Sequence, residues 1–525
     1  MVFEPSLGTN IIVGGNDSGK STLLEAIAIT LTGRIGRSRA SDELNPYWFN
    51  KELVAEFFKA KRMGLTAEFP EFRIDLHLES EEKGLQRMRG IHNLSNEDSI
   101  GLSIHARPDP EYLAELESYF STDDYPDILP VEYYTLEWRD FSDAPVFRTP
   151  KGIGTSIIDS QAVAAKVGLD LYTRQLLDSK IDERVKTEIS VEHRRLRSEL
   201  GKKELAKINE QLHAEATNNG SQAVGVQVDQ SRSASWDSTL IPGIEDLPLN
   251  LAGQGAQVTA KTLLALSAIG ESQSCILIEE PENHLSHTRL RLLLNLIEQE
   301  AGDKQLFITT HSSFVMNRLG LDKLAMVSEG AVHKFEVLTD PTVRFFRKVS
   351  GFDTLRLLLA DQVVAVEGPS DEIIFNRFFR DLHAKDPLDA GIDVISVKGV
   401  GFSRVLELSA QLERKVACLR DNDGKVKAYW ETRDNLKSFL KDGERELFIG
   451  DPELGCTLEP QIGSVNATDK LRELLCLKDS QDPVDWMSKD HNKTEAAIRI
   501  ADSESSLIPP TYFVEAIAFV VQDGI

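Results

Sequence analysis

The stretch "TNIIVGGNDSGKSTLLEAIAITLTG", residues 9–33, decides how this chain is to be read. "NIIV" is a run suited to a buried strand, "STLLEAIAIT" predicts a helix, and between them Gly14–Ser21, "GGNDSGKS", fits the pattern G-x-x-x-x-G-K-[ST]. Each residue type has a chemical reason. Glycines let backbone N–H groups approach phosphate oxygens, and the start of the helix adds positive potential. Lys20 would reach the β and γ oxygens of ATP, and Ser21 would ligate Mg²⁺. The candidate ATP contacts are therefore Gly14, Asn16, Ser18, Gly19, Lys20, Ser21 and Thr22.

Such a loop needs an acid to help hold magnesium and a group to orient the attacking water. "CILIEEPENH", residues 275–284, supplies two carboxylates after an apolar strand: Glu279 for the metal and Glu280 for the water. "LFITTHSS" then places His311 at another strand end, and "LNLAGQGAQVTAKTLLALS" sets a glycine-rich turn before a helix.

Farther along, "ACLRDNDGK", residues 417–425, ends an apolar run in Asp421 and Asp423. Asp, Asn and Gly are turn residues, so this is either a turn closing a strand or half of a metal site. A calcium-binding EF-hand loop is excluded: with Gly424 as its sharp-turn glycine, the end ligands would be Leu419 and Trp430, neither with a side-chain oxygen.

Bulk properties frame these motifs. With 525 residues the chain is too long for one core. It is 41% hydrophobic and 27% charged, the profile of a globular protein, and no apolar run approaches a membrane span. The first ten residues lack the pattern of a signal peptide. Cys275, Cys418, Cys456 and Cys476 show no CxxC spacing, which argues against disulfides and zinc ribbons and for a cytoplasmic setting. A net charge of −25 argues against coating nucleic acid through the overall field, but not against a local basic groove.

Strand-like pieces follow the first helix at 72–80, "FRIDLHLES", and at 127–138, "DILPVEYYTLEW". Residues 161–216 hold no proline and are rich in Glu, Lys, Arg, Leu and Ala, which predicts a helical pair or arm. Alternating strands and helices return near Pro242, and a second such segment starts near Gln362. The expected fold is α/β: a P-loop ATPase domain with a helical insertion, followed by a second α/β domain. The boundaries are 1–160 and 236–350 for the ATPase, 161–235 for the insertion or dimerisation arm, and 351–525 for the last domain.

P-loop, glycine turn, acidic strand end and strand-end histidine, in that order, resemble the ABC-type ATPase heads of the SMC, Rad50 and RecF kind. "IEEPENHL…TTHS" resembles the overcoming-lysogenization-defect (OLD) nucleases in particular. In such heads two subunits sandwich ATP, so the resemblance implies that Gly253, Gly255 and Gln257 form the signature turn and that His311 reads the γ-phosphate. The usual signature serine is not evident in "AGQGAQ". Only 13 residues precede Gly14, fewer than such heads carry, so either the recorded start is late or the head lacks an edge.

The resemblance also demands a TOPRIM domain, with a Glu after its first strand and a D-x-D after a later one. "VVAVEGPSDE" supplies Glu367, and Asp421 and Asp423 follow 54 residues later. On an extended strand, side chains at i and i+2 share a face, so both aspartates are expected to converge on one ion. By resemblance, Asp371 joins the metal site, Glu459 of "GCTLEP" is the later acid, and Lys493 of "DHNKTEAAIRI" is the catalytic lysine. These readings predict an ATP-binding, Mg²⁺- or Mn²⁺-dependent DNA endonuclease acting as a homodimer or larger oligomer, in phage defence or DNA repair. The alternative is an ATP-dependent DNA-bound switch or scaffold whose TOPRIM domain does not cleave. A topoisomerase-like transferase would need a nucleophilic tyrosine, and Tyr429 and Tyr512 sit in no recognisable motif; a primase has no use for the ATPase head.

Overall fold

In the computed structural model the first strand, β1 (Thr9–Val13), is buried along its whole length, as its apolar run requires. It leads through the glycine loop into helix α1 (Lys20–Thr32). The structure describes residues 1–36, 38–121, 125–159, 181–218, 226, 228, 243–244, 246–267, 275–300, 304–328, 330–334, 338–348, 354–397, 401–433 and 436–521. These residues form two compact units: Leu7–Thr9 with Ser21–Ile308, and Met1–Ser6 with Asn10–Lys20 and Thr309–Ile525.

The Ser21–Ile308 unit contains helix α2 (Lys51–Arg62) and an antiparallel sheet of β2 (Phe72–Leu78), β3 (Ser99–Pro108) and β4 (Tyr134–Asp140). The "DILPVEYYTLEW" segment is extended only from Tyr134. A short 3₁₀ turn at Val131–Tyr133 precedes it, directly after Pro130, whose fixed φ and missing N–H favour a turn. The indole N–H of Trp138 on β4 donates to the Thr30 carbonyl of α1 at 3.0 Å. Gly33 ends α1 at φ +64°, with Trp138 so close that a Cβ would lie 2.4 Å from its ring. Only glycine meets both demands.

β5 (Thr155–Asp159) follows. The expected arm is seen as α3 (Glu183–Lys203) and α4 (Ala206–Asn218); its residues 161–180 lie outside the described residues. Val185, Val191 and Leu196 on α3 are exposed. Helix α5 (Gln254–Ser267), strand β6 (Cys275–Glu279), helix α6 (His287–Glu300) and strand β7 (Gln305–Thr309) complete this part, with β6 parallel to β5.

In the other unit, α7 (Ser313–Leu319) precedes β8 (Leu324–Ser328), which pairs parallel with β1, and β9 (Ala331–Lys334) turns back against β8. Two helices, α8 (Asp340–Lys348) and α9 (Thr354–Leu359), lead into a second α/β layer. Its elements in order are β10 (Gln362–Val366), α10 (Pro369–His383), β11 (Ile392–Ser396), α11 (Phe402–Gln411), β12 (Lys415–Arg420), α12 (Lys427–Thr432), β13 (Arg445–Ile449), α13 (Leu458–Val465), α14 (Lys493–Asp502) and α15 (Thr511–Val521). The four strands are all parallel, in the order β11-β10-β12-β13. Helices α10, α14 and α15 pack on one face around Phe375, Phe378, Phe513 and Ile517, while α9, α11 and α12 cover the other. Both faces are covered, so the strands read as continuous apolar runs. All four carboxyl ends lie on one edge, where ligands of open parallel sheets bind. Among the described residues, no helix is long and apolar enough to cross a membrane.

One buried carboxylate ties α11 to α8. Glu407, 2% exposed, accepts from Thr339 N at 2.6 Å, from Thr339 Oγ1 at 3.1 Å and from Thr342 Oγ1, and lies 3.8 Å from Arg404. It caps the start of α8 from another helix. Glu407→Ala leaves those donors without their acceptor and should destabilise the protein by about 2 kcal/mol. A urea midpoint unchanged from wild type would show that the cap contributes nothing.

Candidate functional site

The glycine loop is held open by contacts within it and to neighbouring backbone. A Cβ at Gly14 would fall 2.4 Å from both Ser18 Oγ and the Val327 carbonyl oxygen, whereas one at Gly15 would meet nothing within 4 Å. Asp17 and Gly19 both take positive φ, +60° and +99°. Lys20 is buried, and its ammonium donates to the carbonyls of Gly14 at 3.1 Å and Gly15 at 2.7 Å. Ser18 Oγ is buried without a hydrogen-bond partner. A lysine curled over the loop and an orphaned hydroxyl suit a phosphate group that would satisfy both. Asn16 is exposed on the loop. Thr22 lies in the first turn of α1.

Ser21 Oγ donates to Glu279 Oε1, so the structure brings together the hydroxyl and the acid expected to share a magnesium ion. Glu280 follows at φ +43° and accepts from Asn283 Nδ2 at 2.6 Å, a contact that fixes its carboxylate beside the strand end. His311 follows Thr310, whose N–H donates to the Ile12 carbonyl at 3.2 Å; the histidine thus sits beside the strand that enters the glycine loop. The glycine-rich segment is not a free turn. Gly255 and Gln257 lie inside the first turn of α5, and Gly253 immediately precedes it. A Cβ at Gly255 would lie 2.5 Å from the His284 carbonyl oxygen, so close packing against the "PENHL" segment requires glycine there. Gln257 Nε2 donates to Ala252 O at 2.8 Å.

At the carboxyl edge of the parallel sheet the acids gather. Glu367 leaves β10. Asp371, in the first turn of α10, accepts from Gly368 N at 2.9 Å. Glu459, buried at the start of α13, accepts from Thr457 Oγ1 at 2.7 Å and lies 3.5 Å from Lys493 Nζ, the first residue of α14. Burial first, then the negative charge of Asp371, Glu367 and Glu459, pushes Asp421 up to about 8 against the attraction of Lys493. Burial raises Glu367 to about 7, with Arg420 opposing and Asp371 and Asp423 reinforcing. Burial raises Asp371 to about 6, and Glu459 adds to it. For Lys493, burial pulls downward, but Glu459 and Asp421 together hold the ammonium above its ordinary value. Among the described residues, no three acid, histidine or cysteine side chains stand close enough to chelate an ion as they are. The donor set is nonetheless that of a hard divalent cation: several carboxylates, of which Glu367, Asp371 and Asp421 are disfavoured in their charged form by burial and by the charge of neighbouring carboxylates.

The turn in "RDNDG" is made by Asn422 and not by the aspartates. The strand ends at Arg420, so strand parity does not bring the aspartates together; Asp423 lies in a loop at φ +50° and Gly424 at +74°. The loop is fixed by Asn422, 1% exposed. Its amide donates to Gly450 O and Gly455 O at 3.2 and 2.7 Å, its side-chain oxygen accepts from Gly424 N at 2.7 Å, and its carbonyl accepts from Trp430 Nε1 at 3.0 Å. Asn422 makes the turn, and Asp421 is left among the acids.

Three further residues carry no motif. Arg420 is buried 3.4 Å from Glu367, with its guanidinium 3.5 Å from the centre of the Trp430 ring. Arg377 on α10 donates to the carbonyls of Ile500 at 2.7 Å and Ala501 at 3.1 Å, and so anchors the end of the helix that begins with Lys493. The buried phenol of Tyr512 is pushed well above its ordinary value, by burial and then by the negative charge of Asp421, Asp371, Glu459 and Glu367. An arginine directly before the acids was the one available sequence signal; the other two depend on tertiary contacts.

Comparison with known proteins finds similarity in several parts of the chain. The family described as overcoming lysogenization defect protein-like, TOPRIM domain, matches residues 358–423. An AAA domain family matches residues 2–218, and another, whose description names the AbiEii toxin of a type IV TA system, matches 171–317. No match was found among curated proteins. Among solved structures, the C-terminal region of the Burkholderia pseudomallei OLD protein is 17% identical, with 31% of this chain and 98% of that one covered and a TM-score of 0.25. The recombination mediator RecF with ATP is 15% identical over 63% of this chain and 93% of its own, at a TM-score of 0.31. The SMC head domain from Thermotoga maritima is 13% identical over 64% and 93%, at 0.27. By these family matches the chain is similar to AAA domains over its first part and to an OLD-like TOPRIM domain over residues 358–423.

Proposed function

We propose that this protein is an ATP-regulated, metal-dependent DNA endonuclease. The observation that carries the reading is the convergence of Glu367, Asp371, Asp421 and Glu459 around Lys493 at the carboxyl edge of the parallel sheet. Mg²⁺ or Mn²⁺ held there would supply an activated water and a counter-charge for the leaving oxygen of a phosphodiester. The chain's own residues do the rest. Arg420 orients Glu367, Asn422 fixes the loop that carries Asp421 and Asp423, and Lys493 keeps a positive charge where a phosphate oxygen would lie. In the ATPase, Gly14–Thr22 would hold the phosphates, Ser21 and Glu279 the magnesium ion, and Glu280 the attacking water, with His311 reading the γ-phosphate. Gly253, Gly255 and Gln257 would serve a second copy. A role in phage defence or DNA repair belongs to the same proposal.

Lys20→Ala should abolish ATP hydrolysis, and Glu280→Gln should bind ATP but turn over slowly. Both variants hydrolysing at the wild-type rate would remove the ATPase assignment.

Replacing Asp421 and Asp423 together with Ala should abolish plasmid nicking in Mn²⁺ and leave ATP hydrolysis intact. Normal nicking per folded molecule would defeat the site; nicking absent in wild type too would favour a non-cleaving switch or scaffold.

The raised acids also give a signed pH dependence. Their folded pKa values, about 6 to 8, lie above those of an unfolded chain, near 4, so the native state binds more protons between pH ~4 and ~8. In EDTA, the melting temperature should therefore fall as pH rises through this window. Asp421→Asn should flatten that fall, and Mn²⁺ should reverse it. A wild-type curve that is flat or rises in EDTA would contradict the crowding.

We further propose a homodimer, with α3 and α4 as its arm. Light scattering that shows a monomer, or a dimer that survives deletion of residues 183–218, would exclude it.

A further inference from the structure

The chain carries a net charge of −25, and its candidate cleavage site is a nest of acids. A polyanion can approach such a site only where local cations compensate. They lie directly beyond the acidic loop. Lys425, Lys427 and Arg433 are all exposed, on and beside the short helix α12. Lys425 and Arg433 flank Tyr429, which is 41% exposed, and the Lys427 ammonium, two residues before Tyr429, lies 5.9 Å from the Phe448 ring centre. The Lys425 ammonium lies 5.7 Å from the Tyr429 ring centre and the Arg433 guanidinium 5.9 Å, and Arg433 Nη1 also donates to the Tyr429 hydroxyl at 3.2 Å. Neither Lys425 nor Lys427 pairs with a carboxylate among the described residues. The patch is not a loose surface feature. The next residue, Trp430, is buried against Arg420 and donates to the Asn422 carbonyl, so α12 and the loop carrying Asp421 and Asp423 are joined by a hydrogen bond and a stacked cation.

We propose that Lys425, Lys427, Tyr429 and Arg433 form the surface that holds single-stranded DNA beside the acidic site. An exposed aromatic ring among cations suits an unpaired strand: the ring stacks on a base face, which a duplex keeps covered, and the cations follow the phosphates. The proposal takes its location from the nuclease reading, but its test does not depend on cleavage. Entry through this patch would present a phosphodiester to the acids from the Asp423 side of the loop.

The test is fluorescence anisotropy on the full chain in EDTA, where no cleavage occurs, with a labelled single-stranded DNA oligonucleotide, its duplex, and RNA of the same sequence. The wild type should bind the single-stranded DNA more tightly than the duplex or the RNA. The triple variant Lys425→Gln, Lys427→Gln, Arg433→Gln should lose at least about tenfold in affinity, and its log–log salt slope should become shallower by about 2, since roughly 0.7 counterions are released per charge contact on a single strand. Tyr429→Ala should weaken binding about tenfold with little change in salt slope, while Tyr429→Phe, which keeps the ring, should bind as wild type. Circular dichroism checks that each variant is folded. Failure of the wild type to bind, equal or tighter binding of the duplex or the RNA, an unchanged triple variant, or a Tyr429→Ala variant as tight as wild type would each overturn the proposal. Binding that behaves as expected in a protein that never nicks plasmid would leave this surface standing and count against the nuclease reading alone.

Discussion

Buried negative charge at the carboxyl edge of the parallel sheet is the constraint on which the rest of the second α/β layer depends. Glu367, Asp371 and Asp421 are held where water cannot fully solvate them, and neighbouring carboxylates make each of the three harder to ionise. The surrounding fold supplies partial compensation from several directions. Asp371 sits in the first turn of α10, where helix N–H groups favour an anion, and Gly368 N donates to it. Lys493 begins α14 beside Glu459, and Arg420 stands against Glu367. Arg377 then locks α14 to α10 near its far end, so the helices that carry Lys493 and Asp371 cannot slide independently.

Much of this was legible in the sequence, because the signals are local. Continuous apolar runs such as "VVAV" and "VACL" read as strands buried on both faces, and the glycines that follow them mark where each chain leaves the sheet. Glu367 and Asp421 stand at such exits, so their types and order are legible without coordinates, whereas Asp371 and Glu459 follow only from the family resemblance. The reading failed where geometry depends on partners distant in sequence. Strand alternation would set both aspartates on one face, yet the strand stops at Arg420 and it is Asn422, bonded to Gly450 and Gly455, that shapes the loop. Gly255 reads in sequence as part of a glycine-rich turn before a helix; the His284 carbonyl pressed against it explains the glycine by packing. Arg377 shows a local partner in Asp381, one helical turn on, but nothing near it in sequence announces its bonds to the end of α14, and nothing near Tyr512 announces the charges that act on it.

Asn422 also shows how one short segment can satisfy two demands. The turn needs a side chain that bonds the backbone on both sides, and the site needs carboxylates that do not. By giving the middle residue every backbone bond, the sequence D-N-D separates the tasks. Trp430 extends the arrangement outward, since the same indole that stacks on Arg420 fixes the carbonyl of Asn422. A bulky hydrophobic residue thus does the work of alignment at a site whose chemistry is wholly polar.

The buried Glu407 has a practical corollary for dissecting the molecule. Its acceptor oxygens are matched to donors at Thr339 and Thr342, which precede and open α8, well ahead of the first strand of the second layer. A recombinant fragment begun at residue 351, the boundary that sequence pattern suggests, would retain the carboxylate and discard the donors that hold it and the helix that covers it. A fragment begun near residue 338 would keep the cap whole. The seam at which this layer can be cut is thus set by a hydrogen-bonded charge rather than by the start of a strand.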